Sequence, residues 1–149
     1  MNKKNNQGQT ELSYYGLYLL NYLRENKFEQ AGDATFVKGR ADKAAETYER
    51  TRLEGCPADG AQELAMADLL QGLHYSRYNL LHEVVENEFT DEIAESKRDD
   101  FTAKLLPFVA NVFSVYDLSD DHFTLSPDYE LLYTELTGAV VLYLEAYGV

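Results

Sequence analysis

The chain has 149 residues, 45% of them hydrophobic and 13% aromatic, which is enough for a core without a metal or disulfide staple and too aromatic for intrinsic disorder. Thirteen Lys and Arg stand against 26 Asp and Glu, a formal charge of −13. That sign argues against direct nucleic-acid binding, which needs clustered cations, and against anionic membrane surfaces.

Residues 1–9 are polar and rich in Asn and Gln, and are expected to form a disordered tail. Lys3 and Lys4 are followed by polar residues and not by an apolar run, so no secretory signal is read here. The apolar stretch at 12–23 is shorter than the ~20 residues of a membrane span. Residues 10–149 show no repeat and no Pro/Gly/Ser linker, and are read as a single all-helical domain. The lone Cys56 excludes an internal disulfide and fits a reducing cytoplasm.

A first helix is predicted over 10–27, with Leu12, Tyr15, Leu19, Tyr22 and Leu23 in one stripe. Tyr14, Leu17, Tyr18 and Leu20 make its other side apolar too, which predicts a sandwiched helix. The second helix, over 35–54, buries Val37, Ala41, Ala44 and Tyr48 and exposes the i,i+4 pairs Lys38–Asp42 and Glu46–Arg50. Gly55 and Pro57 stop it.

A third helix starts after Asp59, with Gln62 completing a capping box, and carries the stripe Ala61, Ala65, Leu69 and Leu73. Gly72 inside it implies close packing. Asn79 is read as the N-cap of a fourth helix, which turns Leu81, Val84, Val85 and Phe89 inward. Ser96 is read as the cap of a fifth, with Phe101, Leu105, Phe108, Val112 and Tyr116 in phase across a kink at Pro107. Residues 117–125 form a loop. Ser126-Pro127-Asp128 then starts a sixth helix that runs to Tyr147 and stops at Gly148. The first and sixth helices are the most apolar and are expected to be the most buried, packed together at the centre. The fold class is therefore all-α: about six helices in an irregular, partly orthogonal bundle with no sheet.

Catalytic patterns are sparse. His82-Glu83-Val84-Val85-Glu86 resembles a zincin helix with Glu86 where the second His belongs, so it falls one ligand short. None of His74, His82 and His122 completes the Glu-x-x-His pair of a di-iron bundle. The run Asp117-Leu118-Ser119-Asp120-Asp121 begins like a calcium loop, but His122 stands where the sharp turn needs Gly and Asp128 where a bidentate Glu belongs. Catalytic, cofactor-binding and metal residues are accordingly expected to be none, with no cofactor. The 12 tyrosines are read as core residues with hydroxyls at the rim. No Lys or Arg follows Lys104, a polarity that suits a basic partner or a second copy of the chain.

Several runs resemble a known family. They are Gly39-Arg40-Ala41-Asp42-Lys43-Ala44-Ala45-Glu46, Ala61-Gln62-Glu63-Leu64-Ala65-Met66 and Gly72-Leu73-His74-Tyr75-Ser76, with Leu105-Leu106-Pro107 and Leu118-Ser119-Asp120-Asp121. The most specific is Tyr129-Glu130-Leu131-Leu132-Tyr133-Thr134-Glu135-Leu136-Thr137-Gly138. From about Ser13 to Leu144 the chain resembles the Bacteroidetes family known as domain of unknown function 1896. The resemblance implies a small all-helical bacterial protein, often carried on conjugative or other mobile elements, and brings no catalytic residue.

The expected function is a non-enzymatic helical interaction or accessory protein in a mobile-element context. It would be cytoplasmic and bind a protein partner, but no nucleic acid and no membrane. One alternative is an acidic decoy that mimics nucleic acid on a basic partner. A second is an enzyme with a carboxylate/His site near His74 or His82.

Overall fold

Helix starts are set by side chains that reach orphan backbone N–H groups, and the first such side chain is Ser13. In the computed structural model, which describes residues 12–149, Ser13 Oγ accepts from Gly16 N–H at 3.1 Å and starts α1, Tyr14–Glu25. The tail expected at 1–9 lies outside the described residues. The helix expected from residue 10 begins only after Ser13, because a serine cap with extended backbone outcompetes continuation of the apolar stripe.

A 3-10 turn, Glu29–Gly32, leads to α2, Ala34–Leu53, capped by Asp33. This helix ends where Gly55 takes φ +99°. Gly55 N–H donates to Arg52 O and Cys56 N–H to Thr51 O, a Schellman closure. The same closure ends α1, with Lys27 N–H on Arg24 O and Phe28 N–H on Leu23 O. There the left-handed position is Lys27 itself, at φ +59°. A side chain costs about 1–2 kcal/mol in that region, part of which glycine returns as unfolded-state entropy. Lys27→Gly is therefore expected to stabilise the protein by about 0.5–1 kcal/mol in urea unfolding. A destabilised variant would show that the Lys27 side chain contributes more than its backbone strain costs.

Helix α3, Ala58–Leu70, starts two residues before the expected point. Asp59 sits in its first turn, not at its cap, and Gln62 accepts from Tyr15 Oη at 2.6 Å instead of closing a capping box. Gly72 lies beyond the helix at φ +77°, not inside it.

α4, Arg77–Glu88, is capped by Ser76, whose Oγ accepts from Asn79 N–H at 3.0 Å. Asn79 is thus inside the first turn, because Ser76 already occupies the cap. Ser96 falls within a 3-10 turn, Glu95–Lys97, and α5, Arg98–Leu105, has no side-chain cap. Pro107 interrupts the continuation: a 3-10 turn, Leu106–Val109, joins α5 to α6, Ala110–Phe113. A last 3-10 turn, Phe123–Leu125, precedes α7, Pro127–Tyr147, which opens on Pro127 and ends at Gly148, φ +71°. Counting α5 and α6 as one interrupted segment, six helical segments and no strand occur among the described residues. The fold is all-α.

The chain clusters into two compact units, Met1–Gln71 and Gly72–Val149. The division falls in the turn after α3, where no Pro/Gly/Ser linker marks it. In the first unit α2 packs chiefly on α3. Their shared face is small, with Ala41, Ala44, Ala61 and Ala65 all buried, and α1 adds Leu19 and Leu23. Arg40 donates to Leu69 O at 2.9 Å, and Thr47 donates to Asp68, so α2 also holds α3 by polar contacts.

In the second unit Leu81, Val84, Val85, Phe89, Phe101, Leu105, Phe113, Leu132, Leu136 and Val140 form one core. The expected inward faces of α3 and α4 are the observed ones. The stripe across Pro107 is not. Val109 and Phe113 are buried in place of Phe108 and Val112, and Phe108 is 59% exposed. Proline cannot donate its N–H and its ring crowds the preceding turn. The backbone breaks at Val109 (φ −109°, ψ 12°) and the apolar phase moves by one residue.

α1 and α7 belong to different units, and each is buried on one face only. Tyr14 of α1 is 62% exposed and Leu142 of α7 is 67% exposed. Apolar residues on every side do not require burial on every side, since much folded surface is apolar.

Candidate functional site

Unit Gly72–Val149 carries most of the protein's charge. It holds four of the 13 basic and 15 of the 26 acidic side chains, a formal −11, against −2 for Met1–Gln71. Part of that charge faces a cleft of about 400 Å³ between α4 and α7, lined by Glu83, Asn87, Glu88, Tyr129, Glu130, Tyr133 and Thr134. Tyr129 and Tyr133 stand one turn apart on α7, and Glu83 and Glu88 face them from α4. Tyr129 Oη donates to Glu83 Oε1 at 3.2 Å and Tyr133 Oη to Glu88 Oε2 at 3.0 Å. Nearby on the same helix, Glu135 Oε1 accepts from Tyr116 Oη at 2.6 Å.

These contacts change how the phenols titrate. The hydrogen bond to Glu135 raises Tyr116 to about 12. Burial, then the Glu83 charge, raises Tyr129 to about 12. Burial also raises Tyr133, with Glu88 adding and an Asn87 hydrogen bond opposing. A neutral phenol donates to a carboxylate; a phenolate would repel it. Because the folded pKa values lie above the usual 10, the folded state holds these protons longer than the unfolded chain. The stability they contribute is therefore complete below pH 10 and lost as pH rises toward 12. Tyrosinate absorbance is expected to develop late for these residues. Glu83→Gln should bring the Tyr129 transition down, and an unchanged titration would show that the pair does not form.

The residues singled out by sequence are distributed differently. In the zincin-like run, His82 and Glu86 share a face, with His82 Nε2 3.7 Å from Glu86 Oε1. His82 Nε2 is bonded more closely to Asp99 Oδ1, at 2.8 Å, and its ring stacks on Tyr78. Glu83, the residue that would serve as general base in a zincin, is directed to Tyr129. His74 lies edge-on to Tyr75 at 4.6 Å and is exposed, as is His122. Neither His74 nor His82 lines the clefts described for this chain.

In the calcium-like loop the carboxylates are turned to the protein's own donors. Asp117 Oδ1 accepts from Ser119 N–H at 3.1 Å, and Asp120 Oδ1 from His122 N–H at 2.9 Å. Both oxygens of Asp121 accept from Gly72 N–H, at 3.0 and 3.1 Å. The run thus works as a set of turn-forming hydrogen bonds that ties the start of the second unit to its far loop. Among the described residues, no group of three or more His, Cys, Asp or Glu is arranged to hold a metal. No helix there is long and apolar enough to cross a membrane.

The sequence places tyrosine hydroxyls at the rim but does not reveal the tyrosine–glutamate pairs. The available signal was the i,i+4 spacing of Tyr129 and Tyr133, but their acceptors lie more than 40 residues earlier.

Comparison with known proteins agrees with the helical architecture. A family model described as "Domain of unknown function (DUF1896)" matches residues 7–149. A crystal structure of protein PG0816 from Porphyromonas gingivalis superimposes with a TM-score of 0.83 and 38% sequence identity, covering 91% of each chain. No curated protein matches significantly.

Proposed function

The chain belongs to the DUF1896 family, and from that premise we propose a non-catalytic interaction protein that receives a basic protein partner on its second unit. The observation that carries this reading is the cleft between α4 and α7, where Glu83 and Glu88 are held in place by Tyr129 and Tyr133. A carboxylate that accepts one phenol hydrogen bond still has lone pairs for a guanidinium or ammonium. The flanking rings offer apolar area and π faces for the stem of an Arg or Lys. The formal −11 of the unit would attract such a partner at long range and speed its association at low salt. An accessory role in a mobile element is the setting the family resemblance suggests for it.

The test is a paired capture from native lysate with wild-type protein and the Glu83→Gln/Glu88→Gln double variant. A basic protein retained by wild type and lost by the folded variant supports the reading. Equal retention by both, or no retained protein at low salt, would sink it. Release of the captured partner by duplex DNA would identify the acidic unit as a nucleic-acid mimic, the alternative suited by the basic-free run after Lys104.

A further inference from the structure

A groove of about 580 Å³ lies between α1 and α2 in the first unit. Gly16, Leu20 and Arg24, four residues apart on α1, form one ridge along it. Val37, Lys38 and Gly39 come from α2, and Gly32 from the 3-10 turn between them. The volume is that of a site for a small organic ligand. Most of the lining side chains are aliphatic or absent, so the groove suits a mainly apolar molecule.

Two further observations narrow the ligand. The first is charge. The chain carries −13 overall, yet this groove is lined by two cations and one anion. The anion, Asp42, already bonds Lys38 at 2.8 Å. The Arg24 guanidinium has no ion pair or side-chain hydrogen bond among the described residues. The second is Gly39. It lies inside α2, where glycine costs about 1 kcal/mol relative to alanine. Among the described residues, nothing comes within 4 Å of a Cβ built on Gly39, nor of one built on Gly32. The fold itself therefore has no steric need for glycine at either position, and both positions face the groove. The bare backbone at these positions leaves room for a ligand to approach closely.

We infer that this groove binds an apolar monocarboxylate, its aliphatic chain along the Gly16–Leu20 ridge and over Gly39, its carboxylate on Arg24. A guanidinium takes a carboxylate through two parallel N–H···O bonds, which sets the orientation of the chain. The inference is independent of the acidic cleft on the second unit.

Titration calorimetry of the full chain with dodecanoate, below its micelle concentration, tests it. Saturable one-to-one binding is expected, with dodecylammonium at least about tenfold weaker, a difference of about 1.4 kcal/mol. Arg24→Glu should remove the preference for the anion. Gly39→Leu should weaken dodecanoate about tenfold or more while circular dichroism shows the helices intact. Gly39→Ala, with one added methyl, should raise the melting temperature and still reduce affinity, which separates loss of the groove from loss of the fold. Equal binding of the ammonium and the carboxylate, affinity unaffected by Gly39→Leu, or absence of saturable binding would overturn the inference. Binding of an acidic amphipathic peptide where dodecanoate fails would also overturn it, in favour of a protein ligand.

Discussion

Phe113→Ala is expected to cost about 3–5 kcal/mol in urea unfolding. Phe113 is 1% exposed and among the largest fully buried side chains. It sits in the last turn of α6 within the core that also contains Leu81, Val85, Leu132 and Leu136, and Arg77 lies over its ring at 5.5 Å. Removing it leaves a void that packed neighbours fill only in part. Phe108→Ala is the matched control. Phe108 stands five residues earlier, has the same chemistry and lies where an unbroken helix would bury it. It is 59% exposed and touches Tyr143 and Tyr147 only edge-on or tilted, so its loss should cost about 1 kcal/mol. If the two variants lose equal stability, the apolar phase runs straight through Pro107 and the break at Val109 is wrong.

Arg98→Ala should be the second most damaging change, with a loss of about 2–3 kcal/mol. Its side chain is 12% exposed. Its guanidinium serves three acceptors at once: Ile93 O at 3.0 Å, Thr90 O at 3.3 Å and Glu86 Oε2 at 3.1 Å. These bonds hold the irregular stretch between α4 and α5, whose Ile93 is fully buried without helix or strand to fix it. Truncation leaves two carbonyls and a carboxylate without their donor. Arg98→Lys keeps the charge but offers a single ammonium in place of a planar fork, and should recover less than half of the loss. Hydrogen exchange would locate the effect, with amides of residues 89–97 opening first in Arg98→Ala. Uniform loss of protection across α4, α5 and α7 would assign Arg98 a global role instead.

The helical class, the inward faces of α3 and α4, the stop at Gly55 and the start at Pro127 were all legible in the sequence. Each depends on neighbours within about one or two turns: a 3.6-residue apolar period, a glycine at a left-handed position, a proline at the first helical residue. The caps were only partly legible. Ser13, Ser76 and Asp33 do cap helices, but Asp59, Asn79 and Ser96 look equally suitable and do not, because a cap is decided by which of several adjacent polar residues takes extended backbone. What happens past Pro107 was not legible at all, since the direction in which a broken helix resumes depends on the core it meets. The stripes Tyr15, Leu19, Leu23 of α1 and Leu132, Leu136, Val140 of α7 were legible and are buried; that the other apolar side of α1, Tyr14, Leu17 and Tyr18, stays in solvent was not.

The candidate cleft divides in the same way. Its ingredients, an acidic α4 and a tyrosine pair one turn apart on α7, are written in the chain. Their union is tertiary: Glu83 meets Tyr129 and Glu88 meets Tyr133 only once α4 and α7 pack across 45 and 46 residues of sequence. Local patterns are determined by the sequence alone because short-range sterics and hydrogen bonds act on adjacent residues. The pairing of carboxylates with phenols, and of Asp121 with Gly72, waits for the burial of apolar faces that share no local signal.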